Sequence, residues 1–580
     1  MRQFFLPLAV GVVSTCAWGQ QYTISTIAGN GTAGFTGDTG APASAQLSSP
    51  DGIAFDSSGN LYIADSFNQR IREISGGTIN TIAGNGTAGY SGDLAKGVTG
   101  TATDAEMRGP SGVAVDSAGN IYIADTGNHV IREVSNGIIS TIAGTNTGGY
   151  AGDGGPAIDA ELNSPASVAV DSSGNIYIAD SGNNVIREIQ NGNIHTIFGD
   201  GISNTTLSDP ETILLDGKGN LYVCDSNGLR VLEFGLSTGV VTVIAGDGNI
   251  GFSGDYGPAP AAELADPSAI ALDSNGYLYI ADTFNSRIRK VYPDGTIATI
   301  AGTGIPGYTG DGGRATSATV NAPHGLAVFG SSGKVYISDT ENNAIRLLTP
   351  VTPAISAGGV VNAASFEDHV SPGALASIFG SNFIGSGESA SASLPLPASL
   401  GGVSVKVNGQ AAPLLYLSTD QINFQIPWET ATGSAKITVS SSAFASGTVD
   451  VSVLTAAPGL FFQGSHAIVQ NSNFSLNSAS DPAAVGSTIL AYLTGAGAVS
   501  PPVADGQPAG SNPLSKVTPT VTASIGSKSA TVSFAGLAPD FVGLWQVNVV
   551  VPAGLAQGEY PLVISVDGQS SNAANVSVTP

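Results

Sequence analysis

The sequence predicts an all-β protein: a six-bladed β-propeller followed by two Ig-like β-sandwich modules. Two observations predict it. The phrase Gly59-Asn60-Leu61-Tyr62-Ile63-Ala64-Asp65 returns with its tyrosine at Tyr122, Tyr177, Tyr222, Tyr279 and Tyr336, making six copies. The composition is rich in turn formers, with 78 Gly in 580 residues, and no long stretch has the 3.6-residue apolar period of an amphipathic helix.

The first residues read as an export leader. Arg2 supplies a positive start, Phe4 to Thr15 form an apolar run too short to span a bilayer, and small residues lead to cleavage near Gly19. The expected boundaries are residues 1–19 for the leader and 20–349 for the propeller. A stiff Pro-containing linker follows at 350–354, then one module at 355–457 and a second at 458–580. No later segment looks transmembrane, so the mature chain is expected to be secreted or periplasmic. Removing the leader leaves Cys224 as the one cysteine, so packing rather than a disulfide must hold the fold together. Cys224 stands where sibling repeats have Ala or Ser, which reads as a small buried residue.

Each repeat divides into four short strands. In the first, Ile53–Asp56 turns through Ser57–Asn60 into Leu61–Asp65; Ser66–Asn68 leads to Ile71–Ile74, and Gly76-Gly77 to Ile79–Ala83. The turns rest on Gly, Asn, Asp and Ser, which tolerate positive φ or cap the turn by hydrogen bonding. The second strand is apolar on both faces, as a sheet sandwiched between neighbouring sheets requires. Thr26-Ile27-Ala28-Gly29 is a fourth-strand ending with no strands before it, and the sixth repeat fades after Leu348. Both loose ends are explained if the N-terminal strand completes the last blade.

The phrase Gly-Asn-Leu-Tyr-Ile-Ala-Asp-Ser, followed by Asn and Ile-Arg, resembles the NHL repeat over about 330 residues. That resemblance implies a six-bladed propeller. It also implies protein- or RNA-binding relatives, and propeller lyases and lactonases that gather several His, Asp or Glu residues around a metal. Fold alone does not choose among them.

The connections between blades are long and share a Gly-aromatic-x-Gly-Asp pattern that ends on Asp38, Asp93, Asp153, Asp255 and Asp311. Strand alternation puts these five loops on one rim, which makes that rim the candidate ligand face. No cofactor is expected: the loop aspartates read as structural turns, with calcium as the alternative, although no loop has a dense Asp-x-Asp series. The aspartates that end the second strands, Asp65 and its five counterparts, are expected to cap turns or pair with the recurring Arg72, Arg132, Arg187, Arg289 and Arg346. The fourth blade departs from the rule: its incoming loop is short, Gly228 replaces the turn Asn, and Leu232 replaces the Arg. Either the repeat has simply decayed there, or a gap in the crown of loops opens a lateral groove.

Five His occur in the chain, and His324, at the start of a first strand, is the one well placed near the channel. No nucleophile elbow, phosphate loop or metal-binding His pair is present. The formal net charge of −25 disfavours nucleic acid and anionic lipid as partners.

Beyond the linker the chain looks duplicated. Gln421–Pro427 matches Gln546–Pro552, and Ala376–Gly380 parallels Leu490–Gly495. Gly380-Ser381-Asn382-Phe383 resembles a turn of the IPT/TIG immunoglobulin-like domains. The region as a whole resembles an uncharacterised C-terminal module of acidobacterial exported proteins. The expected function is that of an exported non-catalytic binding or scaffold protein whose loop-rich rim contacts a protein or glycan. The alternative is a metal-dependent propeller hydrolase or lyase with its site at the central channel.

Overall fold

A strand apolar on both faces needs a neighbour on each side, and each repeat meets that need by stacking against the next. The computed structural model describes residues 22–92, 100–200, 206–384, 388–441 and 444–580; the leader expected at 1–19 lies outside them. Each repeat is one four-stranded antiparallel sheet. Blade one consists of Pro50–Phe55, Leu61–Asp65, Arg70–Ser75 and Thr78–Ala83, and every residue of its second strand is buried. The same order holds for blades two to five, which end on outer strands Ile138–Ala143, Asn193–Phe198, Val241–Ala245 and Ile297–Ala301.

The sixth blade is closed by the N-terminus. Tyr22–Ala28 lies antiparallel beside Ala344–Pro350, with Tyr22 opposite Pro350 and Ile24 opposite Leu348. The first strands then neighbour one another around the full ring and line its central channel. Hydroxyls stitch the blades together. Ser66 donates to the Pro110 carbonyl (2.6 Å), Thr126 to Pro165 (2.8 Å), Thr283 to Pro323 (2.8 Å) and Thr340 to Pro50 (2.7 Å).

One strand bound differs from the sequence expectation in a way that matters for the site. The first strand of blade one starts at Pro50 rather than Ile53, and its register slips between those residues. Bulges of this kind re-aim side chains, and this one carries Asp51. Gly52 is required there, because a Cβ would lie 2.4 Å from the Ser111 carbonyl oxygen of the next blade.

Two compact units divide the chain at Val351/Thr352. In the second unit, one β-sandwich pairs a sheet containing Ala354–Asn362, Leu375–Ser381 and Gln421–Gln425 with a sheet containing Val403–Val407, Gly433–Ser441 and Val449–Val453. Ile378, Phe383, Phe424, Val405 and Ile437 fill the space between them. The following residues form a second sandwich-like assembly around Trp545, Ile489, Val547, Ile564 and Val576. The two matched sequence segments occupy equivalent pairings: Leu375–Ser381 lies against Gln421–Gln425, and Thr488–Thr494 against Trp545–Val550.

Candidate functional site

The loop motif is built around a buried cation. Arg72, on the third strand of blade one, has no exposed side-chain surface, and a charge in that position is tolerated only if it is paired and hydrogen-bonded. Asp65 meets it at 3.2 Å from within the blade and Asp38 at 2.7 Å from the loop. The Phe35 ring covers it, 4.8 Å from the guanidinium carbon. Asn68 donates to the Gly34 carbonyl (2.7 Å), which fixes the loop's entry. At Gly37, φ is +95° and a Cβ would lie 2.7 Å from Ala45, so the second glycine of the motif is needed to let the loop fold down.

Blades three, five and six repeat the arrangement. Arg187 pairs with Asp153 (2.6 Å) and Asp180 (3.4 Å), Arg289 with Asp255 (2.8 Å) and Asp282 (3.2 Å), and Arg346 with Asp311 (2.7 Å) and Asp339 (2.9 Å). Tyr150, Phe252 and Tyr308 cover these arginines. In blade two, Arg132 pairs with Asp125 (3.3 Å) beneath Tyr90, while Asp93 lies outside the described residues. The structure therefore places Asp38, Asp153, Asp255 and Asp311 in an architectural clamp, each with one carboxylate oxygen committed to a guanidinium.

Among the described residues, blade four has no clamp. Leu232 is buried in the arginine's place, Arg230 instead reaches Asp225, and Gly228 has no side chain to hold a loop. Cys224 is fully buried behind it, its thiol pushed up by burial. The blade-to-blade stitch changes as well: Ser226 donates to the carboxylate of Asp266 rather than to a proline carbonyl.

The channel mouth lies on the same rim, where the first strands begin. The residue after the recurring proline of each repeat is Asp51, Ser111, Ala166, Glu211, Ser268 or His324 in blades one to six. Two of these are small hydroxyls, one is alanine, and three can bind and titrate. His324 Nδ1 lies 3.7 Å from Asp51 Oδ1 across the seam between blades six and one. Asp209 and Asp266 sit one residue before their prolines and add to the same acidic arc. Burial pushes the Glu211 carboxyl up to about 8, with Asp51, Asp209 and Asp266 reinforcing the shift through like charge. Burial also raises Asp51, while His324 pulls it the other way. Glu211 therefore holds its proton at neutral pH and can donate a hydrogen bond where its neighbours accept.

Two aromatic rings stand on the same rim. Phe67 and Phe284 occupy the turns after the second strands of blades one and five and are 73% and 71% exposed, the most exposed large apolar side chains of the propeller among the described residues. Their counterparts in blades two and three are Gly127 and Gly182. Blades four, five, six and one thus carry the acids, the histidine and the rings, while blades two and three present Ser111, Ala166 and glycine. Of the residues expected to matter, His324 is at this site; Asp51, Glu211, Asp209, Asp266, Phe67 and Phe284 were not singled out by sequence. Among the described residues no three His, Cys, Asp or Glu side chains come together as a metal would need, and no helix is long and apolar enough to cross a membrane.

Residues 107–132, 162–187 and 321–346 match the family described as NHL repeat. The chain carries NHL repeats. Each matched stretch ends on a clamp arginine, Arg132, Arg187 or Arg346. A 103-residue stretch is 35% identical to NHL repeat-containing protein 2 of Gallus gallus, covering 17% of this chain and 14% of that protein. A 255-residue stretch is 27% identical to Teneurin-3 of Mus musculus, covering 37% of this chain and 9% of that one. The chain thus spans a small fraction of the length of these curated relatives. An auxiliary nutrient binding protein from Bacteroides thetaiotaomicron has a similar structure at 15% identity and a TM-score of 0.42, over 57% of this chain and 76% of that one.

Proposed function

We propose that the chain is an exported, non-catalytic binding protein that takes a glycan at the channel mouth of its NHL-repeat propeller. The observation that carries this reading is the broken symmetry of the rim. The six equivalent positions differ in chemistry, with the ionisable groups and rings on four adjacent blades, and a purely structural ring has no need of that difference. Ligand sites join apolar surface to a few convergent polar groups. Here the exposed Phe67 and Phe284 rings offer faces to sugar C–H groups. Asp51, Asp209 and Asp266 accept from hydroxyls, and protonated Glu211 donates. The clamped loops hold the surrounding rim in place, and the leader expected at 1–19 would deliver the protein outside the cytoplasm.

The test is binding of the full chain lacking residues 1–19 to an immobilised array of cell-envelope and extracellular polysaccharides. We expect saturable retention of at least one glycan class, weakened at least tenfold by Phe67→Ala with Phe284→Ala and unchanged by Ser111→Ala on the bland side of the mouth. Retention of no glycan, or equal binding by the double variant, refutes the proposal.

A further inference from the structure

The two sandwiches each hold one phenylalanine in solvent at the same place in their fold. Asn362 lies opposite Ala376, and Gln470 opposite Leu490, the residues that begin the two parallel sequence segments. Four positions beyond each comes a phenylalanine in the left-handed region, Phe366 at φ +60° and Phe474 at φ +65°. Gly, and at times Asn or Asp, takes that conformation routinely; a bulky aromatic residue there is an outlier. The conformation does not sink the rings into a core, since Phe366 is 51% and Phe474 65% exposed. An outlier that recurs in both copies and presents a ring to solvent points to use at the surface.

A buried asparagine builds each turn from beneath. Asn362 accepts from the Ala364 and Ser365 amides (2.9 and 3.1 Å) and donates to the Ala457 carbonyl (2.8 Å), while its own carbonyl takes the Phe366 amide (3.0 Å). Asn471 donates to the Asp481 carbonyl (2.8 Å) and accepts from Asn477 (2.9 Å), and its carbonyl takes the Phe474 amide (2.8 Å). The rings are thus held out before any ligand arrives, which lowers the cost of ordering on binding. The turns also flank one strand edge. Gly459 and Leu460, just after Ala457, pair with Thr494 and Leu493; Val469 and Gln470, which lead into the Phe474 turn, pair with Ala491 and Leu490. From Thr494 to Leu490 the strand runs about 13 Å. Phe462, 38% exposed, packs edge-to-face on Phe366 with ring centroids 6.4 Å apart.

We propose that Phe366 and Phe474 form a two-point site for an uncharged polysaccharide on the second compact unit, one ring for each sandwich. The negative face of each ring attracts the C–H groups of a sugar, and polar groups beside it meet the hydroxyls, the combination that ligand sites use. Next to Phe366 these are Glu367 and His369, paired at 3.1 Å; next to Phe474 they are the exposed Ser472 and Asn473. A folded protein is a poorer occupant, because single rings on tight turns offer far less than the roughly 1,200–2,000 Å² of a stable interface. An anionic polymer or a second copy of the chain meets a net charge of −25. The site lies in the other unit from the channel mouth and does not depend on it.

The probes are xylan, mannan, dextran and hydroxyethyl cellulose, with polygalacturonate as the anionic control, in affinity gel electrophoresis of the full chain lacking residues 1–19. Retardation by at least one uncharged polymer is expected, and none by polygalacturonate. Phe366→Asn or Phe474→Asn alone should weaken retardation at least fivefold and the pair at least twentyfold, because linked contacts reinforce one another. Asparagine suits a left-handed backbone, so the pair should leave Tm unchanged or raise it, which separates a binding role from a structural one. A chain carrying Phe67→Ala with Phe284→Ala should still be retarded, and adding the asparagine pair should abolish what remains. The proposal is overturned if no uncharged polymer retards the chain, or if the asparagine pair binds as tightly as the parent. It is overturned equally if that pair lowers Tm by more than about 5 °C, since the rings then serve the fold. If the channel-mouth variant alone removes all retardation, the mouth reading stands and this one falls.

Discussion

Blades three and four are built from the same four strands, and they differ at a set of positions that act together. Blade three buries Arg187, pairs it with Asp153 and Asp180, covers it with Tyr150, anchors the loop through Asn183 and seals the outer edge at Ile194. Blade four buries Leu232, has Gly228 in the anchor position and leaves Val241 exposed. The difference teaches that the loop is held by the cation it neutralises. With an apolar residue in the arginine's place, no loop aspartate is required and a short connection suffices; Val241 on the outer strand is 44% exposed where Ile194 is buried.

The comparison breaks most visibly if blade three is made to resemble blade four. Arg187→Leu leaves the Asp180 carboxylate buried without its cation, and removing one partner of a buried ion pair costs about 3–5 kcal/mol. Urea denaturation should register that loss. The Ile194 amide should also exchange at a rate approaching that of Val241, because the Gly154-Gly155 segment is no longer clamped. If Ile194 stays protected while stability falls, arginine and edge cover are independent features and the comparison has been misread.

The two blades differ again at the channel, where Ala166 of one corresponds to Glu211 of the other, and here the effect is intermediate and depends on pH. The folded state holds the Glu211 proton up to about pH 8, whereas an unfolded chain releases it near 4.5. Between those values the folded form binds more protons, so this group's stabilising contribution is full below about 4.5 and is lost as pH rises to about 8. Glu211→Gln should remove that slope from a plot of stability against pH, while Ser111→Ala should leave it in place. An unchanged slope in Glu211→Gln would assign the titration to another group.

Much of the architecture was legible because repetition makes it so. Six tyrosine phrases and an orphan Thr26–Gly29 ending suffice to number the blades and close the ring. The recurring arginines and loop aspartates were visible separately, but their union was not, since Asp153 and Arg187 lie 34 positions apart and meet only once the loop has folded down. The channel mouth was missed for the opposite reason. Attention to what recurs passes over Asp51, Glu211 and Phe284, whose signal is that they differ from their counterparts; aligning the residue after each repeat's proline displays it. The exposure of Val241 was foreshadowed in sequence only by the short fourth connection, because exposure depends on which segment crosses which strand.

The smallest expected effect sharpens the account of the clamp. Asp153 is the solvent-facing half of the pair, with 45% of its side chain exposed, whereas Asp180 and Arg187 have none. Water can partly replace an exposed carboxylate, so Asp153→Asn should cost only about 1 kcal/mol, well below Arg187→Leu. Its second oxygen also accepts from the Thr196 amide at 3.2 Å, a bond the asparagine oxygen can keep if its amide nitrogen faces Arg187, and that orientation sets like donors against each other. The variant should therefore hold the loop more loosely while the guanidinium stays paired with Asp180. The expected signature is a modest rise in Ile194 exchange with little loss in urea midpoint. A loss as large as that of Arg187→Leu would show instead that the loop carboxylate, not the buried one, is the main counter-ion of the clamp.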